Sequence, residues 1–461
     1  MPCYDECITR LEAFSMDKKI EAIENTKFIH IPGPNPLLVQ GEKGAWDEEK
    51  LEVCDILKDE GKYYLYYHAS GGGFGYRIGV AVADSPLGPF EKYGDKPILD
   101  LQNFGHGNDN YIACGSILKE GTDQYYLYYS LQQKDDPWNY YIGLATANHP
   151  LGPWEKHENN PIMQNFGYVG GITKKDGKYY MFNEYPTRIQ ADDYGTISVA
   201  VADAPEGPWT PCRKHPVLDV EDWGTWDDAG YSECNVKYDG NLFHMFYGGA
   251  KTNKIRLCSK ESIGYAYSTD GKHFTKYSFN PVAHRESVAF GAAMAEVCFL
   301  PEYPYIYLYH TLRYTKPWRK EDEPIFPLVE HIGAEVLCVA DKFNVTYPVY
   351  TLKELNPNES AKDLSKLPLT VAEAKEIALT ISCTCSKQAS KPLNIHLYTA
   401  TNPENFDTIP YKTFTLSLAP GKEIQQTFRT DICAKFLCIV VENPDPVASV
   451  SDISVSATLK N

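Results

Sequence analysis

The stretch Asn160-Pro161-Ile162-Met163 belongs to a unit that occurs five times in this chain, and this repetition decides the fold. The other copies are Asn35-Pro36-Leu37-Leu38, Lys96-Pro97-Ile98-Leu99, His215-Pro216-Val217-Leu218 and Asn280-Pro281-Val282-Ala283. Successive prolines are separated by 61, 64, 55 and 65 residues. A period of this size is typical of repeat architectures, in which each unit must stack on its neighbours to bury its faces.

Between these units lies a strand-like run rich in aromatic residues, which recurs in every period. The five runs are Gly61-Lys62-Tyr63-Tyr64-Leu65-Tyr66-Tyr67, Gln124-Tyr125-Tyr126-Leu127-Tyr128-Tyr129, Gly177-Lys178-Tyr179-Tyr180-Met181-Phe182, Asn241-Leu242-Phe243-His244-Met245-Phe246-Tyr247 and Tyr305-Ile306-Tyr307-Leu308-Tyr309. Four of the periods continue with a further strand, as at residues 78–83, and a turn such as Ser85-Pro86-Leu87-Gly88-Pro89-Phe90. Four short strands in each period are typical of one propeller blade, so we predict a five-bladed β-propeller.

Composition agrees with an all-β fold. The 461 residues are 43% hydrophobic and 13% aromatic, with 31 prolines and 33 glycines, which is typical of a large strand-rich protein with many turns. Past about residue 350 the repeat stops, and short runs of alternating polarity predict a small β-sandwich. We therefore expect an N-terminal extension over residues 1–27 and the propeller over 28–350. A linker and a C-terminal β-sandwich accessory domain should follow over 351–461, with a short helix near 371–377.

Charge and hydropathy exclude several classes of function. The net charge of −17 argues against nucleic-acid binding, which needs clustered Lys and Arg side chains to displace phosphate counterions. No run of about 18 apolar residues occurs, and the N-terminus lacks the pattern of a signal peptide, so we expect no membrane partner. The expected location is the cytoplasm, or outside the cell if the sequence is trimmed. The oligomeric state stays open.

The thirteen cysteines are scattered along the chain. Four of them fall at or beside the same point of a predicted first strand, at Cys54, Cys114, Cys234 and Cys298. We interpret them as core residues, because a free cysteine packs as a small, soft side chain. No zinc-type spacing occurs, so we expect no catalytic metal and no cofactor, with a structural calcium or sodium ion in the channel left as an alternative.

Carboxylates from distant parts of the chain converge in such a fold, because the first strand of each blade lines the central channel. Aligning the periods on their aromatic runs places Glu52, Glu233 and Glu296 near the starts of the first strands of blades one, four and five, with Glu296 opposite Glu52 in the alignment and Glu233 opposite Val53. A pair of carboxyl groups can protonate a leaving oxygen and stabilise an oxocarbenium-like centre. These three residues are therefore the catalytic candidates.

The blade count, the aromatic runs, the Ser-Pro-Leu-Gly-Pro-Phe turn and the Asn-Pro-Val units resemble the five-bladed β-propeller glycoside hydrolases of families 32, 43, 62, 68, 117 and 130, over about residues 28–345. The resemblance implies that Glu233, in the pair Glu233-Cys234, is the general acid and that Glu52 is the nucleophile or base. Blade three of these enzymes usually supplies an orienting Asp, but residues 168–172 contain no acid. The candidates for a third carboxylate are Asp109, Asp55, Asp228 and Glu296.

Further residues are candidates for substrate binding. They are His106 and Asn108 beside Asp109, Asp55 and Asp228, Trp226 as a stacking surface, and Arg188 and Arg313 as donors to sugar hydroxyls. Each has a structural alternative. Residues 106–109 could form a turn, Trp226 could be a packing residue, Glu52 could lie in a solvated mouth, and Glu233 could pair with an arginine such as Arg285.

Three functions fit these residues. The first is a glycoside hydrolase that cleaves oligo- or polysaccharides. The second is a non-catalytic carbohydrate-binding propeller, which the missing blade-three acid motivates. The third is a glycoside phosphorylase, which would need a basic cradle for phosphate. No clear Arg or Lys cluster lies near the strand starts, so phosphorolysis ranks last.

Overall fold

The protein is built almost entirely from β-strands. A computed structural model describes residues 16–72, 74–101, 103–104, 107–133, 136–185, 196–212, 216–218, 224–251, 260–284, 291–314, 329–361, 369–371, 373–401 and 405–461. Within these ranges one helix is found, α1 (Met16–Asn25), which lies in the segment expected to be an extension. No helix among the described residues is long and apolar enough to cross a membrane.

The first 340 residues contribute five antiparallel sheets, here named I to V, to the described part of the chain. After β1 (Ile29–Pro32), sheet I contains β2 (Lys50–Asp59), β3 (Lys62–Gly71), β4 (Phe74–Ala83) and β5 (Glu91–Lys92). Sheet II contains β6 (Asn103–Phe104), β7 (Gly107–Glu120), β8 (Gln124–Gln133), β9 (Asp136–Ala147), β10 (Glu155–Lys156) and β11 (Met163–Gln164).

Sheet III contains β12 (Tyr168–Lys175), β13 (Lys178–Tyr185), β14 (Thr196–Ala202) and β15 (Thr210–Pro211). Sheet IV contains β16 (Gly230–Tyr238), β17 (Phe243–Lys251), β18 (Lys260–Ser268) and β19 (Thr275–Lys276). Sheet V contains β20 (Gly291–Glu302), β21 (Tyr305–Tyr314) and β22 (Val329–Cys338), and its fourth strand is β1 from the start of the chain. The aromatic run of each period is the second strand of its sheet, as predicted.

The first strands of sheets I to V contact one another in a closed cycle. Strand β2 touches β7, β7 touches β12, β12 touches β16, β16 touches β20, and β20 touches β2 again. The pairing of β1 with β22 joins the two ends of this part of the chain, with Ile29 opposite Cys338 and Pro32 opposite Glu335. Side chains on these five strands are therefore brought towards a common centre.

An aromatic contact repeats between neighbouring sheets. The aromatic ring that follows the Gly-Pro or Asp-Gly turn of one sheet packs against an aromatic ring on the second strand of the preceding sheet. The two rings meet edge to face, with interplanar angles of 80° to 89°. The pairs are Trp154 with Tyr66, Trp209 with Tyr128, Phe274 with Phe182, and Phe90 with Tyr309. Each tyrosine of these pairs also donates its hydroxyl to the backbone carbonyl of a turn proline, at 2.7 to 2.8 Å.

The repeated Asn-Pro units fasten the third strand of a sheet. The Asn160 side chain accepts from the backbone N–H of Leu144 and donates to the Leu144 carbonyl and to the Tyr129 hydroxyl. Asn280 makes the same three bonds with Tyr265 and Tyr247. A side chain that satisfies both backbone groups of a strand residue substitutes for a neighbouring strand, which accounts for the asparagine in these two of the five units.

Two further sheets follow and share one apolar core. Sheet VI contains β23 (Asn344–Leu355), β26 (Glu376–Cys385), β29 (Glu423–Asp431) and β31 (Val450–Lys460). Sheet VII contains β24 (Glu359–Ser360), β25 (Leu369–Thr370), β27 (Leu393–Ala400), β28 (Lys412–Leu416) and β30 (Phe436–Asn443). Alternate residues of β26 and β31 are buried, as expected when one face of a strand covers a core.

Two expectations for this region differ from the structure. The boundary expected after residue 350 lies inside β23, which pairs with β31 up to Leu355. The helix expected over 371–377 is absent from the described residues there. Ala374 N–H bonds to the Val371 carbonyl in a turn, and β26 begins at Glu376. The residues of β26 alternate in burial, and a period of two is that of a strand.

Candidate active site

A β-bulge interrupts the first strand of every sheet from I to V near the same point. The registers shift between Val53 and Asp55, Ala113 and Ser116, Val169 and Gly171, Tyr231 and Cys234, and Ala295 and Val297. A bulge inserts an extra residue and re-aims the neighbouring side chains. Here the bulges lie beside Glu52 and Glu233 and at Glu296.

The strand pairing also corrects the sequence alignment of the fifth period with the first. Cys298 lies opposite Tyr309, as Asp55 lies opposite Tyr66. Counting back from these pairs, Glu296 corresponds to Val53 and Glu233, rather than to Glu52 as the sequence alignment had it. Glu296 itself is the extra residue of its bulge and has a φ of 29°.

Glu52 on β2 is surrounded by donors. Its Oε2 lies 2.7 Å from Nε2 of His68, its Oε1 accepts the Tyr76 hydroxyl at 2.8 Å, and Arg313 lies 3.8 Å away. Burial alone would raise the pKa of Glu52, but the contact with His68 and the charges of Arg313 and Lys50 hold it well below the ordinary value. Glu52 is therefore ionised at neutral pH.

Glu233 on β16 has a different environment. Its side chain is only partly exposed, and its Oε1 accepts the Cys114 thiol at 3.0 Å. Burial raises the pKa of Glu233, and the nearby charge of Glu52 adds to this, while the Cys114 bond opposes it. Two carboxyl groups in mutual electrostatic contact thus have pKa values displaced in opposite directions.

Arg313 on β21 joins four buried carboxylates. Its guanidinium lies 2.6 Å from Glu296, 3.3 Å from Glu330, and 3.8 Å from both Glu52 and Glu261. Burial raises the pKa of Glu330 to about 7, and the charge of Glu52 adds to this shift. Burial likewise raises the pKa of Glu296. One guanidinium cannot balance four carboxylates, which is consistent with the raised pKa values of Glu296 and Glu330.

Asp55 does not join this group. Its carboxylate accepts from the Ser116 hydroxyl, the Ile117 N–H and the Asn235 amide, and Lys237 lies 3.3 Å away. It is almost fully buried, with 1% of its surface exposed. Asp55 therefore links sheets I, II and IV, and the substrate-binding role expected for it is not supported by these contacts.

Trp226 packs rather than presenting a free face. Its ring stacks on Tyr247 with centroids 5.9 Å apart, and an equivalent pair, Trp46 on Tyr67, lies in sheet I at 5.7 Å. The same stack at two equivalent places indicates a structural role, against the expectation of sugar stacking.

Asp228 belongs to the same repeated motif. Its carboxylate accepts the backbone N–H of Gly224 at 2.8 Å, as the Glu48 carboxylate accepts that of Gly44. Both glycines have φ near 100°, at 102° and 92°, a conformation that favours glycine. Asp228 is thus a turn residue. The motif Gly-x-Trp-Asp-acid at residues 44–48 and 224–228 was the signal for this in the sequence.

Several expected site residues cannot be placed. His106, Arg188 and Arg285 lie outside the described residues, and only the backbone of Asn108 and Asp109 is described, as part of β7. Their expected roles remain predictions. Among the described residues, no group of three or more His, Cys, Asp or Glu side chains is arranged to hold a metal ion.

Sequence reasoning missed His68, Tyr76, Cys114 and Glu330. His68 directly follows the aromatic run of the first period. The residue at the equivalent place bonds to the next sheet elsewhere too, since Ser130 accepts from Val169 N–H and Thr311 accepts from Val53 N–H. A polar residue at the end of an aromatic strand was therefore a sequence signal for a side chain that bonds to the first strand of the next sheet.

Comparison with known proteins supports the fold. No protein-family model matches the chain. A solved structure described as a glycoside hydrolase superposes with a TM-score of 0.50 at 14% identity, covering 70% of this chain and 95% of that one. The chain shares the fold of a solved glycoside hydrolase. At this identity the likeness concerns the fold alone, and the resemblance predicted from the repeats is confirmed at that level.

Two curated relatives match short parts of the chain. A xylosidase/arabinosidase of Bacteroides ovatus is 30% identical over 93 residues, which is 20% of this chain and 26% of the relative. A beta-xylosidase of Xylanibacter ruminicola is 34% identical over 84 residues, 18% of this chain and 23% of the relative. The chain thus spans about a quarter of the length of these relatives.

Proposed function

We propose that the protein is a glycoside hydrolase whose pocket lies at the centre of a five-bladed β-propeller. Sheets I to V would be the blades, and β1 would complete the last of them. Sheets VI and VII would form a β-sandwich accessory domain. The closed cycle of contacts between β2, β7, β12, β16 and β20 supports this architecture, since a propeller arranges its blades around a central channel.

The contrast between Glu52 and Glu233 carries the proposal. Glycoside hydrolysis needs one protonated carboxyl to donate to the leaving oxygen and one ionised carboxylate on the other side of the sugar. Three polar groups hold Glu52 ionised, whereas burial favours the protonated form of Glu233. Glu233 is therefore the proposed general acid and Glu52 the proposed nucleophile or base.

Glu296 and Arg313 are the proposed replacement for the acid that the third sheet lacks. The Arg313 guanidinium contacts both Glu296 and Glu52. A positive charge between carboxylates fixes their orientation and lowers their mutual repulsion. The role expected for Arg313, donating to sugar hydroxyls, then gives way to a role in ordering the carboxylates.

Neutral pentosides are the proposed substrates. The two curated relatives are named for xylosidase and arabinosidase activity. The described centre also contains more carboxylates than cations, which disfavours anionic sugars. Phosphorolysis is disfavoured for the same reason, because Arg313 and Lys50 lie against carboxylates rather than around a space for phosphate.

Turnover of aryl xylosides, aryl arabinofuranosides and pentose oligosaccharides tests the proposal. Glu233→Gln should lower kcat/KM by a factor of about 10² or more on oligosaccharides, since the poor leaving group needs a proton. The loss should be smaller on activated aryl glycosides. Glu423→Gln, at an exposed position of β29, is the matched control and should behave as wild type. Sugar binding without turnover by wild type would instead support a carbohydrate-binding propeller.

A further inference from the structure

A continuous series of hydrogen bonds joins Glu52 and Glu233, the two carboxyl groups whose pKa values are displaced in opposite directions. His68 Nε2 meets Glu52 at 2.7 Å, the Cys114 backbone N–H donates to His68 Nδ1 at 3.2 Å, and the Cys114 thiol donates to Glu233 at 3.0 Å. The four residues come from β2, β3, β7 and β16, which belong to three sheets. The sequence had placed Cys114 in the apolar core.

The donor and acceptor roles in this series of hydrogen bonds fix the tautomer of the neutral His68 ring. A backbone N–H is always a donor, so Nδ1 must accept from it, and the proton of the neutral ring lies on Nε2. The Cys54 sulfur also lies 3.4 Å from Nδ1, and although burial opposes it, the contacts with Cys54 and Glu52 raise the pKa of His68. Nε2 therefore donates to Glu52, which favours the ionised carboxylate. Cys114 thus orients the donor of one carboxylate through its backbone and contacts the other carboxylate through its side chain.

The conformation of Cys114 is unusual for a core residue. It has a φ of 50° and lies in the bulge of β7, and Glu296, the other non-glycine residue with positive φ in the described first strands, also belongs to the carboxylate group. Such backbone positions persist only where the surroundings stabilise them, and they cluster at functional sites. Cys114 is 6% exposed, and burial and the Glu233 carboxylate raise its pKa, so it stays a thiol.

We propose that His68 and Cys114 are positioning residues that join Glu52 and Glu233 into one hydrogen-bonded unit, in which the thiol orients Glu233 and stabilises its anion less than a hydroxyl donor would. This inference rests on the proposed function. A thiol is a weaker donor than a hydroxyl, so it orients the carboxyl group with little stabilisation of the anion. A serine at this position would favour the ionised form and an alanine would remove the donor.

Other charged and titratable groups also face Glu233. They are Tyr111 on β7, Glu52 on β2, His68 on β3 and Glu296 on β20. None of them is altered by a substitution at Cys114, so a pair of substitutions there isolates the contribution of the thiol.

The test compares pH profiles of kcat/KM for Cys114→Ser and Cys114→Ala. A general acid must be protonated, so the alkaline limb follows the pKa of Glu233. The limb should move to lower pH in Cys114→Ser and to higher pH in Cys114→Ala, by about half a pH unit or more. Cys298→Ser and Cys298→Ala, at a buried thiol in β20, should leave it in place. Limbs that move in the same direction, or that do not move, would overturn the proposal.

A spectroscopic measurement separates this proposal from the proposed function. The infrared S–H stretching band of Cys114 is obtained as the difference between wild type and Cys114→Ala. At a pH above the alkaline limb, where Glu233 is a carboxylate, the band should lie at higher frequency in a Glu233→Gln background than in wild type, because a neutral amide is a weaker acceptor than a carboxylate. An unchanged band would refute the thiol contact. If wild type turns over no glycoside, the proposed function fails while the band still decides the pairing.

Discussion

At the scale of single residues, the environment of Glu52 makes its ionisation depend on identifiable donors. Tyr76 gives one of them through its hydroxyl. Tyr76→Phe removes that hydrogen bond and keeps the ring that packs against His68. The pKa of Glu52 should rise, so the acid limb of the kcat/KM profile should move to higher pH. Tyr93→Phe, at an exposed tyrosine, is the control.

The wild-type pH profile should be a broad bell. The acid limb should lie below pH 4.5, the reference pKa of a glutamic acid, because the pKa of Glu52 is lowered. The alkaline limb should lie above it, because the pKa of Glu233 is raised. Since the pKa of Glu330 is also raised, to about 7, the assignment needs two variants. The alkaline limb should vanish from the residual activity of Glu233→Gln and persist in Glu330→Gln.

How far the sequence predicts this site is decided residue by residue. Glu52 and Glu233 could be placed from the period of the repeat, because both lie on the strand that precedes an aromatic run, one position apart in the alignment. Glu296 was placed one position out, because the fifth aromatic run lacks the Gly-Lys start of the first, and only the pairing of Cys298 with Tyr309 fixes its register. Cys114 looked like a core residue, since its contact with Glu233 depends on a φ that no local pattern indicates.

At the scale of elements, the tyrosine hydroxyl bonds that accompany the edge-to-face pairs between sheets should contribute measurably to the free energy of unfolding. Tyr128→Phe removes the hydroxyl that donates to the Pro205 carbonyl but keeps the ring against Trp209. Phe182 shows that a sheet can form with phenylalanine at this position. We expect a loss of about 1–2 kcal/mol in the free energy of unfolding, measured by urea denaturation. A loss equal to that of Tyr93→Phe would contradict a role for this bond.

The strands themselves were the most predictable part of the fold. Aromatic runs with apolar neighbours predict strands from local sequence alone, and the second strand of each of the five sheets lies where it was expected. Strand β23 was missed between 351 and 355, because its burial alternates weakly and its partner β31 lies about a hundred residues later. Pairing over such a distance has no local signal.

At the scale of the whole molecule, closure of the cycle depends on the pairing of β1 with β22. His30 on β1 lies 2.7 Å from the buried Glu335 on β22. Burial alone would raise the pKa of Glu335, but its bonds to His30 and His310 lower it, so this contribution to stability is present above pH 4.5 and is lost as the pH falls. His30→Ala should cost about 1–3 kcal/mol at pH 7 and less in acid, measured by denaturation.

A more exposed pair provides the comparison for that variant. His396 lies 3.1 Å from Glu442, whose side chain is 39% exposed. Exposed pairs contribute about 0–1 kcal/mol, so His396→Ala should destabilise the protein less than His30→Ala. Equal effects of the two variants would argue against a special role of the closing strand.

The C-terminal sheets share an apolar cluster with sheets I and V. Phe343, Val345 and Tyr347 belong to the same cluster as Tyr309 and Cys338. A chain ending at residue 340 should therefore expose apolar surface and aggregate. Size-exclusion chromatography and a thermal melt of this truncated chain against the full chain test the expectation. A soluble truncated chain with an unchanged Tm would show that the two parts are independent.

The bulge that recurs in the first strands has a consequence for how this protein could acquire new chemistry. Val53, Cys114, Val169, Glu233 and Glu296 occupy corresponding places beside it, and two of the five are already acids. The backbone tolerates a bulge at each of these places, although only Cys114 and Glu296 have a positive φ there. A lineage of such proteins can therefore gain or lose an acid at these places by a single codon replacement while the pairing of the strands is inherited.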